Sequence, residues 1–449
     1  MGGEHIRAFP ERRSVADVLA LAFAVTIAMW AVGYVGRLPT VLAPSGLLAA
    51  MFAACLVIGG IVAGRVTARR FWGGASVGLV SGLVNLLVLG SLLGGSSPNR
   101  VAPSAAAWIP GFLLASALLG GAGAALGSRG GTRRIEPAVW LGILARVAVV
   151  GTFLLLGVGG LVTSKGVGLA VVDWPNSYGY NMFLFPLSRM TGGVYYEHAH
   201  RLFGALVGLT TLVLAVLVHR LDGRAWVRRL GWTAVAMVVL QGILGGLRVT
   251  GRFTLETSRL EPEIALAVVH GVLAQVFLST MVALAVFTSR GWRAEIRAGS
   301  PAPGRIDRVL CAGLVALLVA QVTLGAIQRH LDRGLTFHIA LGVVVALVAL
   351  PCGARAWALN RSTPRLRYLG HAVADGTIVQ ILLGLASWVT TWSLGGSRFE
   401  VGVVTLHQWF GAALLACAVV LAIWTYRYSL PGLGSGRPLD AGGGKPTPP

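Results

Sequence analysis

The stretch 195–221, YYEHAHRLFGALVGLTTLVLAVLVHRL, decides the fold of this chain. It is apolar over roughly the 20 residues that a helix needs to cross a bilayer, but His200 stands near its start. An imidazole inside hydrocarbon is costly and therefore indicates a function. Three more apolar stretches repeat the arrangement. The four repeated segments are HRLFG at 200–204, HGVLA at 270–274, HIALG at 338–342 and HQWFG at 407–411.

The composition of the chain is that of a polytopic membrane protein. Its 449 residues are 55% hydrophobic and 12% charged, a balance that favours apolar helices in a lipid bilayer. The net charge of +21 would suit a nucleic-acid-binding protein. The arginines, however, occur in short clusters between apolar stretches and not on one soluble face. We therefore expect the lipid bilayer as the surroundings of the chain and no nucleic-acid partner.

Twelve apolar stretches are long enough to cross the membrane. The predicted spans are 15–36, 46–64, 73–94, 106–127, 138–162, 196–218, 229–250, 264–287, 307–328, 336–354, 369–392 and 402–425. The loops alternate in positive charge, and most of the 37 Lys and Arg residues fall on the side that holds both termini. The positive-inside rule then predicts a multi-pass protein of the inner, cytoplasmic membrane with both termini in the cytoplasm. The four repeated histidines lie near the outer ends of their helices.

The fold class predicted from these spans is an all-α polytopic membrane protein, with the last eight spans as two similar four-helix bundles. Repeated helical hairpins are the reason. In three hairpins the outgoing helix carries Gln and, four residues on, Gly, whereas the first has Phe153 and Gly157 in these places. We expect the glycines at close helix crossings and the glutamines in hydrogen bonds between helices. The three pairs are Gln241/Gly245, Gln321/Gly325 and Gln380/Gly384.

Composition also divides the chain into units. The segment between the first four spans and the last eight is rich in Gly and Arg, and the tail is rich in Pro and Gly. The predicted units are a cytoplasmic N-terminus at 1–14, a four-helix region of unknown role at 15–127, a linker at 128–137, the first four-helix half at 138–288, the second at 306–427 and a disordered cytoplasmic tail at 428–449.

Four histidines in one layer of the membrane suit iron macrocycles. Each is followed four residues later by Gly or Ala on the same helical face, which leaves room for two flat haems, each held between a pair of helices. Copper or non-haem iron fits less well, because no carboxylate or thiol set accompanies the second pair. The cysteines form neither CxxC nor CxxCH and are interpreted as small core residues. They are Cys55, Cys311, Cys352 and Cys417.

The two predicted halves differ in one acidic residue. Glu197 precedes His200 by three residues and lies on the same helical face, so both can meet one bound ligand. Neither His338 nor His407 has such an acid before it. This asymmetry predicts a substrate site in the first half and a purely redox haem in the second. The alternative is that Glu197 only pairs with Arg201 at the membrane surface.

Other outer-side residues are weaker candidates. His198 points away from the face that carries His200, because neighbouring residues on a helix are about 100° apart. Some outer arginines could pair with haem propionates, although interfacial snorkelling explains them equally well. They are Arg201, Arg248, Arg252 and Arg329.

The core of the chain, about 138–427, resembles the haem A synthase family. The resemblance rests on three features: the ExxHR pattern of Glu197, His200 and Arg201, the VDWP run at 172–175, and the later histidines at 270, 338 and 407. The combination is specific, whereas any one of them alone would be weak.

The resemblance implies a function. Members of the family oxidise the C8 methyl of haem O to a formyl group, which makes them oxidoreductases acting on a CH3 group, with haem b as the iron cofactor. By resemblance, His338 and His407 would ligate the iron of haem b. His200 and His270 would flank the iron of the substrate haem O, with Arg201 beside it and Glu197 as a catalytic acid or base. The implied partners are haem O synthase and cytochrome oxidase assembly proteins.

Two departures from the family and two other functions stay open. Many members carry a cysteine pair in the first outer loop, but residues 163–195 contain none, and the four N-terminal spans lie outside the resemblance. One alternative is a di-haem b-type electron carrier linked to quinone, which has no need of an acid such as Glu197 beside one haem. The other is a cofactor-free transporter built from repeats, which would be colourless when purified.

Overall fold

The computed structural model describes residues 15–67, 69–88, 98–131, 135–250, 262–294 and 303–429. The predicted N-terminal segment 1–14 and almost all of the predicted tail lie outside these ranges, as does part of the predicted linker.

The described ranges contain twelve long helices and one short one, and the described part of each predicted span coincides with a long helix; residues 89–94 of the third span lie outside the described residues. In chain order they are α1 (Ala16–Gly36), α2 (Ser45–Val66), α3 (Arg70–Val88), α4 (Ala105–Gly127), α5 (Pro137–Ser164), α6 (Gly192–Leu221), α7 (Ala225–Thr250), α8 (Pro262–Thr288), the short α9 (Arg290–Arg293), α10 (Arg305–Leu331), α11 (Leu335–Leu359), α12 (Pro364–Leu394) and α13 (Arg398–Tyr428).

Eleven of the described helices are long and apolar enough to cross a membrane, and α3, with 19 residues, is not among them. Helices suit such a chain because hydrocarbon offers the backbone no hydrogen-bond partners. The prediction of an all-α polytopic membrane protein is therefore confirmed.

Local signals set several helix ends. Pro137 and Pro364 stand in the first turn of α5 and α12, where a missing backbone N–H costs nothing. The side chain of Ser397 accepts a hydrogen bond from the backbone N–H of Glu400 and caps α13. Between α10 and α11, Asp332 and Gly334 adopt left-handed backbone conformations that reverse the chain.

Helices α2, α3 and α4 pack backbone against backbone through glycines. A Cβ added to Gly78 would lie 2.0 Å from the carbonyl oxygen of Ser116, and one added to Gly60 would lie 2.1 Å from that of Gly120. Close approach of this kind is the usual basis of helix association in lipid.

Helix α1 makes the main contact of the N-terminal helices with the first half, chiefly on α5 and to a smaller extent on α6. Its side chains share one core cluster with theirs. The ring of Trp30 stacks on Phe203 with centroids 4.2 Å apart, and the Tyr195 hydroxyl donates to the backbone oxygen of Tyr34. The N-terminal region therefore docks on the helix that carries Glu197 and His200.

The two halves meet through α5 and α8 on one side and α10 and α13 on the other. The indole nitrogen of Trp409 donates to the backbone oxygen of Phe153 at 2.7 Å, and the two rings stack. Thr405 and Ser164 share a hydrogen bond of 3.0 Å between their hydroxyls. The C-terminal end of α5 and the beginning of α13 are thus held together.

Candidate functional site

The structure brings the four repeated histidines together in two pairs. His200 on α6 faces His270 on α8, with ring centroids 6.4 Å apart and ring planes at 75°. His338 on α11 faces His407 on α13, also with centroids 6.4 Å apart, and with planes at 88°. Each half of the repeat therefore contributes one pair, in the grouping expected from the sequence.

The spacing of each pair fits one iron atom between two imidazoles. A metal–nitrogen bond of about 2.0–2.1 Å on each side, plus roughly 1.2 Å from each nitrogen to its ring centroid, gives a centroid separation of roughly 6.4 Å. The Nδ1 atoms of His200, His270 and His338 are buried and have no hydrogen-bond partner among the described residues. The centroid spacing is therefore the observation that fits a haem held between the two imidazoles of each pair.

Each imidazole rests on a glycine of the preceding helix. A Cβ added to Gly159, Gly325 or Gly384 would lie 3.0 Å from the Cε1 atom of His200, His338 or His407 respectively. At Gly245 the corresponding distance to His270 is 3.4 Å. A larger residue at these positions would push the rings. The glycines therefore lie at close contacts between neighbouring helices, as expected, and each leaves room for a histidine ring.

The assignment of Gly157 to this repeat was wrong. Gly159 takes the place beside His200, whereas a Cβ on Gly157 would lie 2.9 Å from the ring of Trp409. The FLLLG letters place Gly157 at the position of the other glycines. The residue of α5 that contacts its histidine is Gly159, two positions later.

The three repeated glutamines hydrogen-bond between helices, as predicted. The Nε2 atoms of Gln241, Gln321 and Gln380 donate to the backbone oxygens of the next histidines, at 3.0, 2.9 and 3.1 Å. Those histidines are His270, His338 and His407.

The small residue after the histidine has a role in this contact. A Cβ on Gly342 or Gly411 would lie 3.3 or 3.0 Å from the amide nitrogen of Gln321 or Gln380. In the second half, the glycine four residues after the histidine thus makes room for the glutamine. The sequence had indicated room for a macrocycle instead.

Glu197 is 4% exposed and both of its oxygens are used. One accepts from the Arg201 guanidinium at 2.7 Å, and the other accepts from the backbone N–H of Val171 at 2.8 Å. The Glu197–Arg201 pair of the alternative interpretation is therefore present in the structure, with Glu197 buried and Arg201 largely buried. Its place on α6 is still one turn before His200.

Arg201 holds the first outer loop on α6. It donates to the backbone oxygens of Val171 at 2.9 Å, Asp173 at 2.7 Å and Asn176 at 3.2 Å. Its role toward a substrate stays a prediction. Of the other outer arginines, Arg248 and Arg329 line a cavity described below, and Arg252 lies outside the described residues.

The VDWP run builds the rest of this loop. The carboxylate of Asp173 accepts the backbone N–H groups of Tyr178 and Gly179, at 2.6 and 2.8 Å. Both residues have positive φ, as the tight turn of a two-residue hairpin requires. The hairpin joins β1 (Asn176–Ser177) to the antiparallel β2 (Tyr180–Asn181).

Two further contacts fix the loop against the helices. Trp174 covers Gly246, where a Cβ would lie 2.3 Å from its ring. His198 is fully buried, shares a hydrogen bond of 3.0 Å with Ser177 and packs on Phe185. No sequence pattern singled out Ser177, which lies in the loop that also contains the VDWP run.

The fold and the site define a class: an all-α membrane protein that holds two pairs of imidazoles, each pair with its ring centroids 6.4 Å apart. A family model described as cytochrome oxidase assembly protein matches residues 142–340. A haem A synthase from Rhizobium etli (strain CIAT 652) is 23% identical over 319 residues, covering 63% of this chain and 82% of the relative. Another from Rhizobium etli (strain CFN 42) is 24% identical over 321 residues with the same coverage. These comparisons show that the chain is similar to members of the haem A synthase family.

Proposed function

We propose that this chain is a haem A synthase, which oxidises the C8 methyl of haem O to a formyl group and so makes haem A for cytochrome oxidase. The observation that carries the proposal is the facing of His200 and His270 at 6.4 Å, a spacing that fits one macrocycle. Haem O would lie between these two imidazoles as the substrate.

His338 and His407 are proposed to hold haem b, which supplies one-electron redox chemistry when bound. Among the described residues, no group of three or more His, Cys, Asp or Glu side chains could hold a metal ion. A bare copper or iron ion takes more protein ligands than one pair of imidazoles. A macrocycle brings four ligands of its own, so the pairs favour haem.

Glu197 is proposed as the acid or base of the reaction. When water supplies the oxygen, the methyl carbon gains oxygen from two waters, loses four electrons to an external electron acceptor and releases four protons, and the resulting gem-diol then loses one water. A carboxylate has about four acceptor sites, so Glu197 can take a proton from an attacking water while Arg201 and the Val171 N–H hold it in place. Negative charge there also favours positive charge developing at the carbon.

The surroundings of the reaction follow from the charge pattern. We place the protein in the inner, cytoplasmic membrane with both termini in the cytoplasm. Haem O would come from a haem O synthase, and haem A would pass to proteins that assemble cytochrome oxidase.

Pigment analysis tests the proposal. The full chain would be purified from cells that make haem O, and its haems separated by liquid chromatography. We expect haem b together with haem O and haem A. His200→Ala with His270→Ala should remove haems O and A and keep haem b, whereas His338→Ala or His407→Ala should remove haem b. His219→Ala, at the opposite end of α6, is the control. Unchanged haem A in the His200/His270 double variant would refute the proposal.

The equal spacing of the two pairs favours a second candidate, a di-haem b electron carrier linked to quinone. It predicts two haems b per chain and no haem A in the same extraction. A colourless protein would support the transporter alternative.

A further inference from the structure

A cavity of about 270 Å³ lies at the outer ends of helices from both halves. The first half contributes the end of α5, the residues after it and Arg248 from α7. The second half contributes Arg329 and His330 from the end of α10. No acidic residue lines the cavity among the described residues, so its charge suits an anion.

The cavity adjoins the first histidine pair. Arg248 follows Gly245, on which His270 rests, by three residues, which places it one turn further out on α7. On α5, Val162 and Thr163 line the cavity three and four residues after Gly159, on which His200 rests. A ligand between the two imidazoles would therefore reach this cavity with groups on its outer edge.

The second half reaches into the first at this cavity. The Arg329 guanidinium donates to the backbone oxygen of Thr163, near the end of α5, at 2.9 Å. A guanidinium has five N–H donors, so this contact leaves others for a ligand. On the other side, a Cβ at Gly168 would lie 2.7 Å from Arg248, which means that the absent side chain leaves room for the guanidinium.

We infer that this cavity binds the carboxylate groups of the macrocycle held between His200 and His270, with Arg248 from the first half and Arg329 and His330 from the second. Guanidinium groups bind carboxylates with two parallel, charge-assisted hydrogen bonds. The volume is several times the roughly 30 Å³ of a water molecule, so two carboxylate arms fit. The second half would thereby complete the substrate site of the first. The inference rests on the proposed function.

Two probes that differ only in charge test it: ferric protohaem and its dimethyl ester. Each is titrated into the full chain purified from cells that make haem b but no haem O, so that no substrate haem occupies the first pair. Binding at the first pair is the absorbance change that His200→Ala with His270→Ala removes. For Arg248→Gln and Arg329→Gln we expect about 10- to 100-fold weaker binding of protohaem and unchanged binding of the ester. Arg333→Gln, an exposed outer arginine, is the matched control and should change neither.

Two results would overturn the inference, and only the second would also overturn the proposed function. If the arginine variants bind both probes like the wild type, or lose both equally, the carboxylates lie elsewhere and the proposed function stands. If the His200/His270 double variant takes up as much of either probe as the wild type, the proposed function fails too. Arg329→Lys separates charge from folding, because it should recover part of the protohaem affinity when the loss in Arg329→Gln is electrostatic.

Discussion

Glu197 and Arg201 form most of their hydrogen bonds with each other and with the loop between α5 and α6. The sequence had indicated both as substrate residues. The position of Glu197 one turn before His200 could be read from helical periodicity. The contacts of Arg201 with three backbone oxygens could not, because the path of an irregular loop has no periodic signal. The contacts of Glu197 are therefore compatible with an acid–base role and with a role in holding the loop. Variants can separate the two roles.

For Glu197→Gln we expect a folded protein that keeps haem b in the second half and forms about 10²–10⁴-fold less haem A. The amide keeps the shape of the side chain but cannot act as a base. Arg201→Lys is the matched variant, because it weakens the loop contacts and leaves the carboxylate. Limited proteolysis of the loop and liquid chromatography of the pigments report the two effects. If both variants lose haem A to the same extent and their loops become equally sensitive to the protease, Glu197 only holds the loop in place.

Gly325→Ala should loosen the second histidine pair. The new Cβ would lie 3.0 Å from Cε1 of His338, so the ring must move by a few tenths of an ångström. We expect a lower haem b content and a shifted low-spin spectrum, more so for Gly325→Val. Gly313→Ala in the same helix is the control, since a Cβ there meets nothing within 4 Å. Identical spectra for the alanine variants of both glycines would show that the ring has no need of the glycine.

At the scale of elements, the repeating unit is a helical hairpin in which Gln and Gly on the outgoing helix meet His on the return helix. The sequence predicted the hairpins and the inter-helix bonds of the glutamines, because residues four apart share a face. It gave the wrong register for α5, where Gly159 and not Gly157 meets His200. Matching letters cannot fix how far one helix slides along another, since packing sets that position.

Gln321→Leu tests the hairpin contact. The change removes the hydrogen bond to the backbone oxygen of His338, which we expect to cost about 0.5–1.5 kcal/mol of stability. The measurement is the temperature at which the haem b absorbance is lost, together with its midpoint potential. Gln328→Leu is the control, because Gln328 bonds Asp332 at the outer end of the same helix. If both variants lose haem b at the same temperature and have the same midpoint potential, the repeated glutamines do not position the histidines.

For the whole molecule, the sequence separated the first four helices from the last eight because the repeated histidines begin only after the Gly- and Arg-rich segment. That division stays a prediction. The structure adds a contact that no pattern could reveal: α1 is buried against α5 and α6, whereas most of α2 and α4 is not. Helices α1, α2 and α4 are all apolar on every side. Their sequences therefore do not distinguish a side that faces lipid from one that faces protein.

Trp30→Ala tests whether the N-terminal region belongs to the working unit. Trp30 is 6% exposed and stacks on Phe203 of α6, so its removal leaves a gap beside the helix that carries Glu197 and His200. We expect a loss of at most about 3 kcal/mol, because lipid or neighbouring side chains replace part of the contact. Haem A output should fall while haem b is retained, since the second half packs on α5 and α8.

Trp72→Ala is the matched control, because Trp72 lies on α3 and is 73% exposed. If both variants unfold at the same temperature and make as much haem A as the wild type, the four N-terminal helices are separable from the enzyme, as the sequence pattern alone had indicated.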